Sequence, residues 1–346
     1  MRFHNSALLN ASNSAQPSIK LVMDAVTGYQ RTAAIVAAIR LGLFTLIGAG
    51  LQRTSELAIE TGASERGLRI LCDSLCVMGL LEKSGSSYSL TLTSRVFLDE
   101  SSPAAINSII DFLAAPSIVS LMLDNPAGFV HNGGALGLAT VTPSHSIWTA
   151  FAEAIAPHAV PTAKRLAAYV TARRTQPARI LDVAAGPGFY GIEIAKALAG
   201  TEVTAIDWPE VLALARNNAV RAGVQAGYHE LAGNAFQLDW GTNFDCVVLA
   251  NFLHNFDRSE CISLLRKAKA ALATDGSVLI VEFVPNPDRI SPPTAAFFAF
   301  FMLGTTPRGD AYTADEIEEM AMKAGFRRLA VHHLPPSPET LLVLTS

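Results

Sequence analysis

Residues 179–195, "RILDVAAGPGFYGIEIA", decide the fold of this chain. The stretch opens on an apolar run, passes through Gly186, Gly188 and Gly191 in the spacing G-x-G-x-x-G, and ends in a helical pattern. A strand, a glycine-rich turn and a helix in this order predict the first unit of an open parallel sheet, with a loop that touches a ligand. The spacing alone leaves open whether that ligand is a dinucleotide, another adenosine-containing cofactor, or nothing.

The alternation of strand and helix patterns continues towards the C-terminus. We predict strands at 179–183, 202–207, 227–231, 244–250 and 277–283, and helices at 189–199, 209–222, 258–273 and 314–325. Such alternation indicates an α/β domain with a Rossmann-like parallel sheet covered by helices on both faces. The last two strands, "FRRLAVHHL" and "TLLVLTS", are joined by "PPSPE", which is too short for a crossover helix, so they pair antiparallel.

The N-terminal part has a different pattern. Residues 20–48 read as helical, 54–61 as a short helix, and a second helix at 64–80 carries one apolar stripe formed by Leu68, Leu71, Cys72, Leu75 and Cys76. Two short extended pieces follow in "LLEKSGSSYSLTLT", where Tyr88, Leu90 and Leu92 alternate. Helix, helix and hairpin together predict a winged helix.

A winged helix is typical of DNA binding, but the side chains of this one favour a dimerisation module. The second helix offers Arg66 and Arg69 beside Glu65 and Asp73, a mixture poorly suited to phosphate contacts. The whole chain has 26 basic and 30 acidic residues and a formal charge of -4, so no global field attracts nucleic acid or an anionic membrane. The apolar helices at 20–48 and 105–123 would supply the contact surface of a homodimer.

The N-terminal stretch and the apolar runs of the sequence bear on where in the cell the protein lies. The N-terminus "MRFHNSALLNASNSAQPS" lacks the apolar core of a signal peptide, and the apolar runs 32–50 and 294–304 are broken or too short to span a bilayer, which predicts a cytoplasmic protein. The four cysteines show no metal-type spacing and are interpreted as reduced thiols, with no metal site.

We expect four segments: a flexible tail at 1–19, the winged-helix dimerisation domain at 20–105, a helical connector at 106–175 and a cofactor-binding catalytic domain at 176–346. Within the connector, the helix 145–172 is expected to be interrupted around Pro157 and Pro161.

Acidic residues around the glycine loop bear on the choice of cofactor. Asp182 ends the first strand, where a carboxylate disfavours a pyrophosphate and suits a cation such as the amino group of a methionine moiety. Asp207 ends the second strand, where a carboxylate can accept both ribose hydroxyls of either cofactor class. Trp208 could cover the adenine or simply pack, and Asn234 could bind the adenine amino group or serve only as a turn residue.

Five motifs in order carry a family resemblance: "LDVAAGPGFYG", "AIDWPEV", "GNAF", "FDCVVLANFLHNFD" and "LIVEFV". Together with the winged helix they resemble the dimeric class I S-adenosylmethionine-dependent O-methyltransferases, which include plant caffeate and flavonoid enzymes and bacterial enzymes that tailor small molecules. The resemblance implies S-adenosylmethionine (SAM) as cofactor and S-adenosylhomocysteine (SAH) as product, without a metal. It implies a cofactor site formed by Asp182, Ala184, Gly186, Gly188, Asp207, Trp208, Gly233, Asn234, Ala235, Phe236 and Asn251.

The resemblance also implies a catalytic set. His254, which would otherwise be read as a structural or solvated histidine, matches the general base of the family, and Glu282 matches a glutamate that orients it. The family often has a second glutamate, but here Ala311 stands in its place with Asp310 beside it. Either Asp310 substitutes for that glutamate, or His254 and Glu282 act alone.

A substrate pocket is expected next to this set. Trp148, Phe151 and Ile155 resemble the substrate-facing helix of the family, and Phe298, Phe301 and Met302 lie in the aromatic segment 297–304; either group could instead be plain core. A pocket of this kind would accept a flat, apolar molecule such as an aromatic or polyketide-like alcohol. Two alternatives remain: an enzyme of the same fold that uses SAM without transferring its methyl group, and a ligand-sensing regulator that binds DNA.

Overall fold

A computed structural model describes residues 17–135, 146–335 and 337–345, without the side chains of 146–148 and 156–158. Contacts between Cα atoms divide the chain into two compact units, Met1–Ala105 and Ile106–Ser346. We describe each unit by itself.

The described part of the first unit contains helices and one antiparallel hairpin. In chain order these are α1 (Ile19–Val26), α2 (Gly28–Arg40), α3 (Leu43–Gly48), α4 (Thr54–Thr61), α5 (Glu65–Val77), β1 (Leu81–Ser84), β2 (Ser87–Leu90) and α6 (Leu92–Phe97). The predicted winged-helix order of α4, α5 and hairpin is confirmed. The single helical stretch predicted at 20–48 is three helices, since Gly42 has a φ of 64° and separates α2 from α3.

One strand residue was predicted wrongly. The Thr91 hydroxyl accepts a hydrogen bond from the Ser94 N–H and caps α6, so the chain leaves the hairpin after Leu90. Leu92 therefore belongs to a helix and is 78% exposed, rather than continuing the alternation of the strand.

Asp73 of α5 is tied to the hairpin. The Asp73 carboxylate accepts hydrogen bonds from Lys83 at 2.5 Å, from the Tyr88 hydroxyl at 2.7 Å and from Arg69 at 3.1 Å. These donors, Lys83 first among them, hold the pKa of Asp73 below its ordinary value. Two cations of the winged helix are thus paired within the unit.

The second unit begins with helices and continues as a seven-stranded sheet with helices on both faces. Its helices are α7 (Asn107–Leu113), α8 (Pro116–Leu123), α9 (Pro126–Asn132), α10 (Ser146–Ala154), α11 (Ala156–Thr171), α12 (Phe189–Ala197), α13 (Pro209–Ala222), α14 (Arg258–Ala271), α15 (Pro293–Thr305) and α16 (Ala314–Ala324). Its strands are β3 (Arg179–Val183), β4 (Glu202–Asp207), β5 (Tyr228–Ala232), β6 (Phe244–Ala250), β7 (Leu272–Glu282), β8 (Arg328–His333) and β9 (Thr340–Thr345).

The sheet confirms the predicted fold class. Its strand order is β5-β4-β3-β6-β7-β9-β8; the first five strands are parallel, and β9 runs antiparallel to both of its neighbours. The predicted antiparallel pairing of the last two strands is therefore correct. The final strand β9 is inserted between β7 and β8, so β8 forms the edge.

Alternate residues of the central strands bury two hydrophobic cores. Leu181 and Val247 belong to the core that includes residues of α14 and α16, whereas Ile180 and Val248 belong to the core that includes residues of α11 and α12. All four side chains are fully buried. This burial on both faces explains why the strands are continuous apolar runs.

The connector breaks next to Pro157, as predicted, but not at Pro161. Helix α10 ends at Ala154 and α11 begins at Ala156, with Pro157 in its first turn, where no backbone N–H is needed. Pro161 lies inside α11, so the interruption predicted there is wrong.

The inserted strand should carry more stability than the edge strand beside it. Leu342 in β9 is fully buried and pairs with Ile280 and Val331, whereas Val331 in β8 is 43% exposed. We expect Leu342→Ala to lower the free energy of unfolding by about 2–5 kcal/mol because it leaves a cavity between two sheet neighbours. Val331→Ala is the matched control and should cost about 1 kcal/mol or less. Urea denaturation measures both, and equal losses would contradict the assignment of β9 as an interior strand.

Candidate active site

In the glycine loop after β3, every second residue has a left-handed backbone conformation. Ala184, Gly186 and Gly188 have φ values of 54°, 56° and 79°. A Cβ on Gly188 would lie 2.4 Å from the Tyr228 hydroxyl, and one on Gly191 would lie 2.6 Å from the Val203 side chain, so these two glycines allow close packing. A Cβ on Gly186 would meet no atom within 4 Å, which leaves open space above the loop.

Two carboxylates accept the N–H groups of this loop and of the following helix. Asp182 Oδ2 accepts from the Gly191 N–H at 2.9 Å, and Asp207 Oδ2 accepts from the Gly186 N–H at 2.8 Å. Burial raises the pKa of Asp182 to about 7 and also raises the pKa of Asp207. These N–H groups are taken by carboxylates, whose negative charge disfavours a pyrophosphate at the same place. Carboxylate oxygens suit hydroxyl and ammonium donors instead.

The segment after β5 forms a tight turn against Asp207. Gly233, with a φ of 141°, donates its N–H to the Asp207 carbonyl at 2.9 Å. Asn234 Oδ1 accepts the Phe236 N–H at 2.9 Å, so the side-chain oxygen shapes the turn and the amide nitrogen is the group it can offer to a ligand. Trp208, half-buried, precedes α13 and donates its N–H to Asp207 Oδ1.

Lys267 is a residue of this region that sequence reasoning missed. Its ammonium donates to the carbonyl oxygens of Ala235, Phe236 and Leu238 at 2.7, 2.9 and 2.7 Å. It also lies 5.1 Å from the centre of the Trp240 ring, and burial lowers its pKa. Nothing in the sequence of α14 sets this lysine apart from Lys269, because its role depends on a turn about 30 residues earlier.

His254 and Glu282 meet at the carboxyl ends of β6 and β7. Glu282 Oε2 lies 2.7 Å from His254 Nδ1, and Glu282 Oε1 accepts the N–H groups of Phe252 at 3.0 Å and Leu253 at 2.8 Å. The side chains of His254 and Glu282 are 11% and 5% exposed. Because a carboxylate oxygen accepts, Nδ1 carries the proton of the neutral ring and Nε2 keeps its lone pair.

Aromatic residues of α15 lie beside the imidazole. The Phe298 ring meets His254 edge to face, with centroids 4.9 Å apart and an interplanar angle of 86°. Phe301 is half-buried with its ring 6.2 Å from Phe298, whereas Met302 is 4% exposed.

The predicted substrate residues of the connector are described only in part. Phe151 is 41% exposed and its ring lies 5.4 Å from that of Phe112, and Ile155 is half-buried in the break between α10 and α11. The side chain of Trp148 lies outside the described residues.

The segment 309–311 contacts His254 through its main chain. Asp310 donates its N–H to the His254 carbonyl at 3.0 Å, and a Cβ on Gly309 would lie 2.2 Å from the same oxygen. The Asp310 carboxyl pairs with Arg289 at 3.3 Å, while burial raises its pKa. Ala311 is 1% exposed. In the part of the chain that the structure describes, the imidazole contacts the Glu282 carboxylate, whereas the Asp310 carboxyl pairs with Arg289.

Comparison with known families identifies the chain. The O-methyltransferase domain matches residues 145–327, and the O-methyltransferase dimerisation domain matches residues 23–100. The chain belongs to the O-methyltransferase family. It is a SAM-dependent methyltransferase that acts on small molecules, as the resemblance implied.

Three relatives show how far the similarity extends. A solved structure from Nostoc punctiforme assigned to the O-methyltransferases is 40% identical, with a TM-score of 0.90, and the match covers 96% of this chain and 100% of that one. The 3-hydroxy-5-methyl-1-naphthoate 3-O-methyltransferase of Streptomyces sahachiroi is 29% identical over 88% of each chain. Human N-acetylserotonin methyltransferase, solved in complex with SAM, is 22% identical with a TM-score of 0.80 over 97% of this chain and 99% of that one, and it shares the fold.

Two other kinds of feature are absent from the described ranges. No group of three or more His, Cys, Asp or Glu side chains there is arranged to hold a metal ion. No helix in those ranges combines the length and apolar character needed to cross a bilayer.

The raised pKa of Asp182 predicts a specific pH dependence. A carboxyl whose pKa is higher in the folded than in the unfolded state takes up a proton on folding, so its contribution to stability falls as pH rises from about 4 to 7. We expect Asp182→Asn to remove this decline in the ligand-free protein, with Asp275→Asn, an exposed position, as control. Urea denaturation at a series of pH values measures the difference. A difference in the free energy of unfolding between wild type and Asp182→Asn that stays constant across that pH range would contradict the prediction.

Proposed function

We propose that this protein transfers a methyl group from SAM to a hydroxyl of a flat aromatic or polyketide-like small molecule, with His254 as general base. The contact between Glu282 and His254 Nδ1 carries the proposal. In the neutral imidazole this contact keeps the proton on Nδ1 and leaves Nε2 as the basic nitrogen, at the sheet edge where the glycine loop also lies.

The donor groups of the site fit SAM. Asp207 has one N–H bonded to each carboxylate oxygen, which leaves both oxygens capacity to accept ribose hydroxyls. The open space at Gly186 leaves room for the cofactor, and Gly233, Asn234, Ala235 and Phe236 would surround the adenine. When bound, SAM supplies an electrophilic methyl group on a sulfonium. Asp182, Ala184, Gly188, Trp208 and Asn251 complete the proposed cofactor site.

The protein contributes a proton acceptor and alignment. The acceptor hydroxyl loses its proton to His254 Nε2 as its oxygen attacks, and the Glu282 carboxylate stabilises the imidazolium that forms. Glu282 also fixes the direction of the ring, since it holds both Nδ1 and the N–H groups of the same loop. Asp310 supports this loop through its main chain, and its pairing with Arg289 favours a catalytic pair of His254 and Glu282.

The aromatic surroundings support the acceptor class. Phe298 meets the imidazole edge to face, and Phe301 follows on the same helix, so an acceptor beside Nε2 would contact aromatic carbon. We include Trp148, Phe151, Ile155 and Met302 in the proposed pocket. The Streptomyces sahachiroi relative is named for methylating a hydroxyl of 3-hydroxy-5-methyl-1-naphthoate, and this naphthoate is a molecule of that class.

The direct test is a methylation assay. Purified protein with SAM and a panel of hydroxyarenes, including 3-hydroxy-5-methyl-1-naphthoate, should yield SAH and an acceptor heavier by one methyl group in the mass spectrum. An acceptor altered without methyl gain would favour the alternative chemistry of the fold. A protein that binds neither SAM nor SAH in calorimetry would refute the proposal.

A histidine substitution tests the base. We expect His254→Ala to lower kcat by at least about 10²-fold, because it removes the proton acceptor, with SAH affinity kept within about twofold. His333→Ala, at an exposed position of β8, is the matched control and should leave kcat unchanged. Steady-state kinetics with a methylated acceptor measure both, and a His254→Ala enzyme as fast as wild type would remove His254 from the mechanism.

We further propose that the protein is a homodimer formed through its N-terminal unit. Helix α1 exposes a set of large apolar side chains to between 48% and 76%: Ile19, Leu21, Val22, Met23 and Val26. Such a surface favours a partner, and the dimerisation domain matched at 23–100 makes a second copy the partner expected.

Charges on α1 should separate the subunits. We expect the double variant Leu21→Glu and Val26→Glu to elute as a monomer, because two carboxylates cannot be buried in an apolar interface. Ile59→Glu, which changes an 86% exposed residue of α4, is the control and should leave the dimer intact. Size-exclusion chromatography with light scattering gives the mass of each. A dimeric double variant would show that α1 is not the interface.

A further inference from the structure

Asn251 has a side-chain orientation that a buried carboxylate imposes. It directly follows β6 with a φ of 51°, and its Nδ2 donates to Glu339 Oε1 at 2.6 Å. Because a carboxylate only accepts hydrogen bonds, the amide must turn its nitrogen towards Glu339 and its oxygen away. Asn251 Oδ1 is buried and has no hydrogen-bond partner among the described residues.

Glu339 is itself held in a closed network. It is 1% exposed, and its Oε2 accepts from the Thr162 hydroxyl at 2.7 Å and from the Ser337 hydroxyl at 2.9 Å. These donors come from α11 and from the link before β9, so the carboxylate is fixed on both sides. Because Glu339 is fixed by residues of α11 and of the link before β9, the fold determines which way the Asn251 amide points.

Tyr190 adds a second buried oxygen to the same place. Its hydroxyl is buried without a hydrogen-bond partner in the described chain. Its pKa is raised well above the ordinary value by burial and then by the carboxylates of Glu339, Asp182 and Glu282, while the Asn251 amide opposes the rise. Tyr190 therefore lies close to the Asn251 amide and to these carboxylates.

These groups lie at one edge of the sheet. Tyr190 is the second residue of α12, directly after the glycine loop of β3, and Asn251 follows β6, which pairs with β3. Ala184 and Asn251 come directly after these two neighbouring strands, and both have the positive φ that side chains rarely adopt. Strain of this kind is typical of ligand sites.

We propose that Asn251 Oδ1 and Tyr190 Oη receive the ammonium group of the amino acid portion of the cofactor, and that Glu339 is the positioning residue that keeps Oδ1 turned towards it. A buried oxygen without a donor costs free energy, and an ammonium provides three donors together with a charge that offsets the nearby carboxylates. This inference rests on the proposed function, because it takes the cofactor to be SAM.

Two ligands separate this role from a merely structural one. SAH carries the ammonium, whereas 5′-methylthioadenosine keeps the adenosine and lacks the amino acid portion. We expect Glu339→Gln to weaken SAH binding by about tenfold or more in calorimetry, because a glutamine lets the Asn251 amide turn over, with 5′-methylthioadenosine affected less than about twofold. Thr162→Val, which removes a donor to Oε2 and leaves the contact with Asn251, is the control and should keep the ratio of the two affinities.

Tyr190→Phe gives an independent measurement. It should weaken SAH several-fold and leave 5′-methylthioadenosine unchanged, while the thermal midpoint of the ligand-free protein stays equal or rises because an unpartnered buried hydroxyl is gone. A purely structural tyrosine would instead lower the midpoint.

The outcomes are distinguishable. A wild-type protein that does not bind SAH defeats the proposed function and this inference with it. A wild-type protein that binds SAH, with a Glu339→Gln variant that weakens both ligands equally or neither, overturns the inference and leaves the proposed function standing.

Discussion

The carboxylate of Glu282 is the contact on which the site depends. It ends β7 and accepts hydrogen bonds from the main chain of the turn after β6 and from His254 Nδ1. Without an acceptor those N–H groups would be unsatisfied next to a buried core, so this one side chain both holds the turn and selects the tautomer of the neutral ring. Asp310 also holds this turn, through a hydrogen bond from its N–H to the His254 carbonyl, and Gly309 leaves room for that close approach.

A second constraint is the acidic character of the cofactor edge. Asp182 and Asp207 take the N–H groups that a phosphate would otherwise need, and both have a raised pKa in the ligand-free protein. The glycine spacing is shared by sites for several cofactors, whereas this distribution of donors and acceptors favours hydroxyl and ammonium groups over a pyrophosphate. The buried oxygens of Asn251 and Tyr190 add two hydrogen-bond acceptors to this edge, where we expect the cofactor ammonium.

Most strands and helices of the second unit were predictable because their periodicity is strong and their ends carry turn residues. The errors occurred where a local signal competed with another one. Leu92 continued an alternation, but the Thr91 cap began a helix there; Pro161 signalled a break, but α11 accommodated it. The position of β9 had a signal that was not used. "TLLVLT" has four consecutive apolar residues and is buried over nearly its whole length, as an interior strand should be, whereas "RLAVHH" is mixed and mostly exposed.

The sequence by itself determined the fold class and the strand that carries the glycine loop, because these are encoded by residues close to one another. The family resemblance of its ordered motifs implied that Glu282 orients His254. The tertiary structure decided what each polar group does. Only the fold brings Glu339 to Asn251, 88 residues earlier, and Lys267 to the carbonyls after β5. Hydrogen bonds require donor and acceptor within about 3 Å, and for groups so distant along the chain that condition is set by packing rather than by sequence spacing.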